Sequence, residues 1–187
     1  MSTPNNPDLS FNLSDLGLLD GRADREIAII VRNAALILRV PTVTFFVEDR
    51  NAARLFLRAY SGWNQAYRIP DELPLRGSLT AEVVESGEST MLIDLVRGGE
   101  FATTPEVCLL SAGSFLAVPV AGPAGETIGV MAAFTREPQR WSHTDKAELM
   151  DQAHLLSRHI LLKASLQTLK FVSRERVLHR SANRIPI

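Results

Sequence analysis

One cysteine, four histidines and a scatter of carboxylates are the side chains of this 187-residue chain with the most chemistry to offer. Cys108, the single thiol, excludes an intramolecular disulfide framework and fits a reducing compartment. His154 and His159 are five residues apart on one helical stretch, whereas two imidazoles share a metal on a helix at a step of four. His143 lies between Ser142 and Thr144 at a helix start, where a capping or surface role is expected. Asp71 and Glu72, ahead of Leu73 and Pro74, read as a solvated turn, and Asp94 as either a helix cap or a cavity-facing carboxylate. The sequence holds no nucleophile and base pair, no Cys-x-x-Cys and no phosphate-binding glycine loop. Neither a metal site nor an enzyme is expected.

The elements that position these residues are legible from periodicity. Residues 114–120 and 126–134 are apolar runs joined by Ala121, Gly122, Pro123, Ala124 and Gly125, the pattern of an antiparallel hairpin. Pro119 removes a ladder donor and predicts a bulge or an open edge near the end of its strand. Between residues 20 and 39, Ile27, Ile30, Val31, Ala34, Ile37 and Leu38 fall on one helical face, which Val40 and Pro41 terminate. Residues 42–48 and 53–60 read as a second hairpin around Asp49, Arg50 and Asn51. In its second strand Leu55, Leu57 and Ala59 alternate with Arg54, Phe56 and Arg58, which predicts one solvated face. Helix, strands, a turn-rich middle segment over 61–112, more strands and a final helix make an α+β domain.

The chain is 45% hydrophobic and 22% charged, ordinary for a soluble globular protein, and its net charge of −1 makes no global case for nucleic acid. No apolar stretch approaches the ~18 residues of a membrane span. Residues 1–7 lack the basic and apolar regions of a secretory signal, so a cytoplasmic location is expected. Residues 1–13 read as a loose, disordered N-terminus, 14–162 as the domain, and 163–187 as an extended basic C-terminal helix or tail.

Three groups of residues together resemble the GAF family of small sensory and regulatory modules. One is Ser114, Phe115, Leu116, Ala117, Val118 and Pro119, followed by Gly125, Glu126, Ile128, Gly129 and Val130. A second is the helix-like stretch 80–86, the turn at Gly87 and Glu88, and Met91, Leu92, Ile93 and Asp94. The third is Trp141, Ser142 and Asp145 opening the last helix. The resemblance spans residues 23–162 and implies a PAS/profilin-like antiparallel sheet flanked by N- and C-terminal helices. It also implies a ligand cavity between one sheet face and the middle segment, with Trp63, Tyr67, Leu75, Ile93, Phe101, Cys108, Ser111 and Phe115 as candidate lining residues. The alternative is that Trp63, Tyr67 and Phe101 only pack loops onto the sheet. An aromatic lining suits a flat organic ligand, but the sequence names neither the ligand nor a cofactor.

Some GAF-like proteins attach a linear tetrapyrrole through a cysteine that is followed by His. Here Leu109 and Leu110 follow Cys108, and Leu116 is eight residues on, closer than in that branch. Others reduce free methionine sulfoxide using more than one thiol, and this chain has one. Cys108 is therefore expected to be a free, buried cysteine acting as a small apolar side chain. The motif of cyclic-nucleotide-binding relatives is absent.

From Thr144 no Pro or Gly occurs until Pro186. Leu149, Ala153, Leu156 and Ile160 form one seam of this helix, able to pack on the sheet or on another helix. Leu155, Leu162 and Leu169, with Leu166 and Val172 beside them, form a second, which would leave apolar surface on a monomer. The family resemblance implies a homodimer through the segments 27–38 (Ile27 to Leu38) and 149–169 (Leu149 to Leu169), passing a signal to an output partner. Over 158–184 seven basic residues stand against Glu175 alone, a local charge of +6. That is a solvated face, a dock for an acidic partner protein, or a weak attraction to polyanions, with no pattern for specific nucleic-acid recognition. No output module is recognisable, which leaves a stand-alone protein or a fragment of a longer one, and Met1 favours the first as the expectation. The expected function is a non-catalytic small-molecule sensor. A ligand-free dimerisation scaffold is the alternative, and a redox enzyme using Cys108 the third reading.

Overall fold

A computed structural model of the chain describes residues 13, 16–19, 23–62, 69–97, 99 and 101–182, with 171, 172 and 174–182 by backbone alone. Four helices, α1 (Arg25–Leu38), α2 (Leu79–Ser86), α3 (Pro105–Leu110) and α4 (His143–Ala182), surround six strands. The strands are β1 (Thr42–Asp49), β2 (Arg54–Ser61), β3 (Glu72–Pro74), β4 (Thr90–Leu92), β5 (Ser114–Ala121) and β6 (Thr127–Thr135). They form one antiparallel sheet in the order β3-β2-β1-β6-β5-β4. The expected α+β architecture with flanking helices is present.

Side-chain alternation divides the core into two layers. Val43, Phe45 and Val47 of β1, Leu116 and Val118 of β5, and Met131 and Ala133 of β6 face α1 and α4. Phe46, Phe115, Ala117, Val130, Ala132 and Phe134 face α2, α3 and the loops around them. Phe115 and Phe134 are cross-strand partners with ring centroids 5.3 Å apart, a tilted pairing that favours contact beyond simple burial.

Two bulges re-aim this alternation. In β2, Phe45 pairs with Ala59 and Phe46 with Leu57, leaving Arg58 as the extra residue. Leu55 and Leu57 consequently join the second layer and Ala59 the first, so the single solvated face predicted for this strand is not what forms. In β6, Val120 pairs with Gly129 and Ala121 with Thr127, which leaves Ile128 unpaired and turns it toward the helical layer. A bulge does lie near Pro119. Only Phe115, Leu116 and Ala117 of β5 pair with β4, so the open side of β5 begins before Pro119.

Helix ends follow local chemistry. Asp24 caps α1, its carboxylate accepting from the amides of Glu26 and Ile27 at 3.0 and 3.2 Å, so the helix begins after the 20–23 stretch. Ser142 and Asp145 cap α4 reciprocally: the Asp145 amide donates to Ser142 Oγ, and the Ser142 amide to Asp145 Oδ2. The seam Leu149, Ala153, Leu156, Ile160 and Ala164 of α4 is buried against α1 and the sheet. α4 runs through residue 162 without a break. Glu72, read from sequence as part of a turn, instead opens the edge strand β3, where it lies opposite Phe56 in the ladder and its carboxylate ion-pairs with Arg54 of β2.

Candidate functional site

The ends of β1, β2 and β6 meet at one side of the sheet, and a cleft of about 730 Å³ opens there. Its apolar part comes from Ile69, Leu110 and Phe134, of which Ile69 and Phe134 are nearly fully buried. Pro41, Thr42 and Gly62 form one wall, and Thr135, Arg136, Glu137 and Gln139 the opposite, polar side. Several hundred cubic ångströms, apolar inside and polar at the mouth, is the usual form of a small-molecule site.

Close backbone contacts set the walls. A Cβ built on Gly62, which has φ +82°, would overlap the Pro41 carbonyl, and one on Gly113 would overlap the Arg136 carbonyl. Thr42 Oγ1 donates to the Gly62 carbonyl at 3.2 Å, joining the start of β1 to the end of β2. On the other side Thr135 Oγ1 donates to the Glu137 carbonyl at 2.6 Å. That commits its one proton, so Ser114 Oγ, 2.5 Å away, is the donor in the buried Ser114–Thr135 pair. The Gln139 amide donates to the Ile93 carbonyl at 3.0 Å. The Arg136–Gln139 turn, which presents opposite charges at the mouth, is thus held to both β5 and the segment after β4.

The elements above the second sheet face are held together by a buried carboxylate. Glu106 in the first turn of α3 is fully inaccessible to solvent. Its Oε1 accepts from the backbone amide and the hydroxyl of Thr80, at 2.8 and 2.7 Å, in the first turn of α2. Glu106 Oε2 is buried with no hydrogen-bond partner among the described residues. Ser78 caps the same turn of α2, its hydroxyl accepting from the Ala81 amide. Two orphan amides of α2 are therefore satisfied by side chains, one of them from another helix.

The residues predicted to line a pocket are dispersed. Trp63 and Tyr67 lie outside the described residues. Phe115 is fully buried in the second core layer, and Leu75 and Phe101 pack half-buried against it. Ile93 is exposed and meets the cleft region only through its carbonyl. Ser111 is exposed with φ 53° at the C-cap of α3. Cys108 is exposed, not buried as expected: it lies on the outer side of α3, with Sγ 3.3 Å from the Ala102 carbonyl. Asp94 takes the capping role, its Oδ1 accepting from the amides of Val96 and Arg97. The cleft residues from strand ends, Pro41, Thr42, Thr135 and Arg136, were missed. Their signal was the adjacency of a strand start behind a proline and a strand end before Arg136, Glu137 and Pro138.

A second polar cluster joins the terminal helices. Asp24 Oδ2 is 2.8 Å from Lys163 Nζ and 3.2 Å from His159 Nε2. Burial raises the Asp24 pKa. The hydrogen bonds from Lys163, His159 and the Ile27 amide outweigh it, taking the carboxyl from its usual 3.8 down to about 2. No group of metal-binding side chains occurs among the described residues. No helix there is long and apolar enough to cross a membrane.

A curled six-stranded antiparallel sheet, with two long helices on one face and short elements over the other, defines a small α+β domain. No family model matches the sequence, and no curated protein matches it. Solved structures do. The GAF domain of an Acinetobacter phosphoenolpyruvate-protein phosphotransferase superposes with TM-score 0.61 at 22% identity, over 76% of this chain and 84% of that one. Free methionine-R-sulfoxide reductase from Neisseria meningitidis gives TM-score 0.60 at 17% identity, over 81% of this chain and 86% of that one. A GAF sensor protein of Burkholderia vietnamiensis gives 0.57 at 17%, over 81% and 92%. The chain folds as a GAF-like domain.

Proposed function

We propose that this protein is a non-catalytic sensory or regulatory GAF-like module, working as a homodimer. Its cleft at the ends of β1, β2 and β6 binds a small organic molecule without covalent attachment, and the terminal helices pass occupancy to a partner protein. The observation that carries the reading is the cleft itself, with buried Ile69 and Phe134 inside and Arg136, Glu137 and Gln139 at the mouth. Such a site takes a compact apolar or flat body and meets polar or charged groups at its periphery. The likeness to a GAF sensor and to a GAF domain of a phosphotransferase supports a regulatory role at the same coarse level. Signal output follows from connectivity. Arg136–Gln139 leads within a few residues to the Ser142 cap of α4, so ordering that turn bears directly on the helix.

Native mass spectrometry of the purified protein, followed by thermal shifts across nucleotides, amino acids and organic acids, tests this. A discrete bound mass, or a shift that is lost in Leu110→Trp while the folded spectrum is kept, is the expected result. An apo protein indifferent to the whole panel would overturn it in favour of a ligand-free scaffold. The exposure of Cys108 favours a second reading, a thiol-dependent reductase of the kind several fold neighbours represent. It requires an external thiol to restore the cysteine, because the chain has no second one. Turnover of free methionine sulfoxide that vanishes in Cys108→Ser would establish that reading.

A further inference from the structure

The side of α4 that faces away from the core carries a stripe that is complementary to itself when reversed. At 100° per residue, Glu148, Asp151, Leu155, Leu162, Leu166, Leu169, Arg176 and Arg180 fall within one narrow sector, opposite the buried seam. Leu155, Leu162, Leu166 and Leu169 are 47%, 58%, 48% and 63% exposed, an apolar stripe that Arg158 alone interrupts. Glu148, Leu155, Leu162, Leu169 and Arg176 repeat every seven residues, in the order acid, Leu, Leu, Leu, base.

We infer that this stripe is the dimer interface of the proposed homodimer, and that the two α4 helices pair antiparallel about a two-fold axis at Leu162. The inference rests on the dimeric reading above and specifies its geometry. In that register Leu162 meets Leu162 of the second copy, Leu155 meets Leu169, and helix position 148 lies opposite position 176. Asp151 lies opposite Ser173, and Thr144 opposite Arg180. Arg158, the one charge within the leucine run, lies across from Leu166 and covers it with its aliphatic stem while its head reaches water.

Charge decides the direction. Residues 143–157 hold Asp145, Glu148 and Asp151 against Lys146, a charge of −2, and residues 158–182 hold six basic residues against Glu175, +5. A parallel in-register pair sets acid against acid at one end and base against base at the other. The antiparallel pair sets each acidic end on a basic one, over the roughly 42 Å that separate residues 148 and 176 at 1.5 Å per residue. The core of each protomer lies on the far side of its own α4, so the outer faces are free to meet.

Full-length protein carrying Cys108→Ser, with either Leu155→Cys or Leu169→Cys, tests the register by oxidation. A mixture of the two variants is expected to form a disulfide-linked dimer, and neither variant alone. Homodisulfides in each variant alone would overturn the antiparallel register while leaving the dimer standing. A dimer that forms none of these links would overturn the stripe as its interface, and a monomer at every concentration in sedimentation would overturn the dimeric reading itself. Glu148→Arg is expected to raise the dimer dissociation constant about tenfold, from two symmetric pairs turned repulsive, and adding Arg176→Glu to restore it. No change in either variant would overturn the charge argument. The substituted α4 positions are on its outer face and Cys108 is exposed on α3, so folding is not at stake.

Discussion

Against one face of the sheet lie two long helices whose seams, Ile27, Val31, Ala34 and Leu38 of α1 and Leu149, Ala153, Leu156 and Ile160 of α4, are buried along their length. Against the other lie helices of eight and six residues and the turns between them, tied by the Glu106 carboxylate and by Ser78. The helical face is filled by interdigitating apolar side chains, which resist local opening. The loop face also buries an apolar layer, but its covering helices are short, a cleft opens at its end and the α2–α3 junction rests on polar contacts, so it has the lower cost of rearrangement. On the proposed reading, a rigid face beside an adaptable one would let a ligand order the second without disturbing the first.

Cavities cut into the two sides of the sheet are expected to differ most in cost. Leu156→Ala, on the helical face, is expected to cost about 2–5 kcal/mol in denaturant unfolding, whereas Leu110→Ala, half-buried at the cleft, is expected to cost less than half of that. Equal costs would refute the contrast. On the loop face, Glu106→Ala leaves the Thr80 amide and hydroxyl without their acceptor and is expected to cost about 1–3 kcal/mol. Glu106→Gln keeps the acceptor at Oε1 and should cost less.

A smaller effect sharpens the helical side. Asp24→Ala removes the α1 cap and its bonds to Lys163 and His159, for about 1 kcal/mol at neutral pH. Because its folded pKa of about 2 lies below the ordinary 3.8, Asp24 contributes stability fully above pH 3.8 and loses it as pH falls through 2. Acid titration of the variant should therefore show a shallower decline in that window than the parent. The smallest effect belongs to Cys108→Ser, within about 0.5 kcal/mol of the parent, because the thiol is exposed. A thiol reagent should label Cys108 in the folded protein without denaturant. Protection from labelling would restore the buried reading.

Much of this fold is legible in the chain because it is written in local periodicity. Both hairpins, the α1 and α4 seams, the Ser142 and Asp145 cap and the stop at Val40 and Pro41 follow from residues within a few positions of one another. The candidate site is less legible. It assembles Pro41, Gly62, Leu110 and Arg136, which lie far apart along the chain and share a cleft only because β2, β1 and β6 are neighbours in the sheet. Reading the pocket from one sheet face and the middle segment selected Phe115, which is buried in the packed core, and Ile93 and Ser111, which are exposed.

The sequence by itself determined the α+β class, the elements and the two distinct stripes of the last helix, because hydrophobic spacing and capping act between near neighbours. Only the tertiary structure decided which stripe each partner takes. Leu149, Ala153, Leu156 and Ile160 are spent within the protomer, leaving Leu155, Leu162 and Leu169 outside. Only it revealed the bulges at Arg58 and Ile128, since an extra residue is defined by the strand it fails to match. The exposure of Cys108 was likewise decided by docking, because α3 turns Glu106 inward to Thr80, and a residue two positions away on so short a helix then faces out.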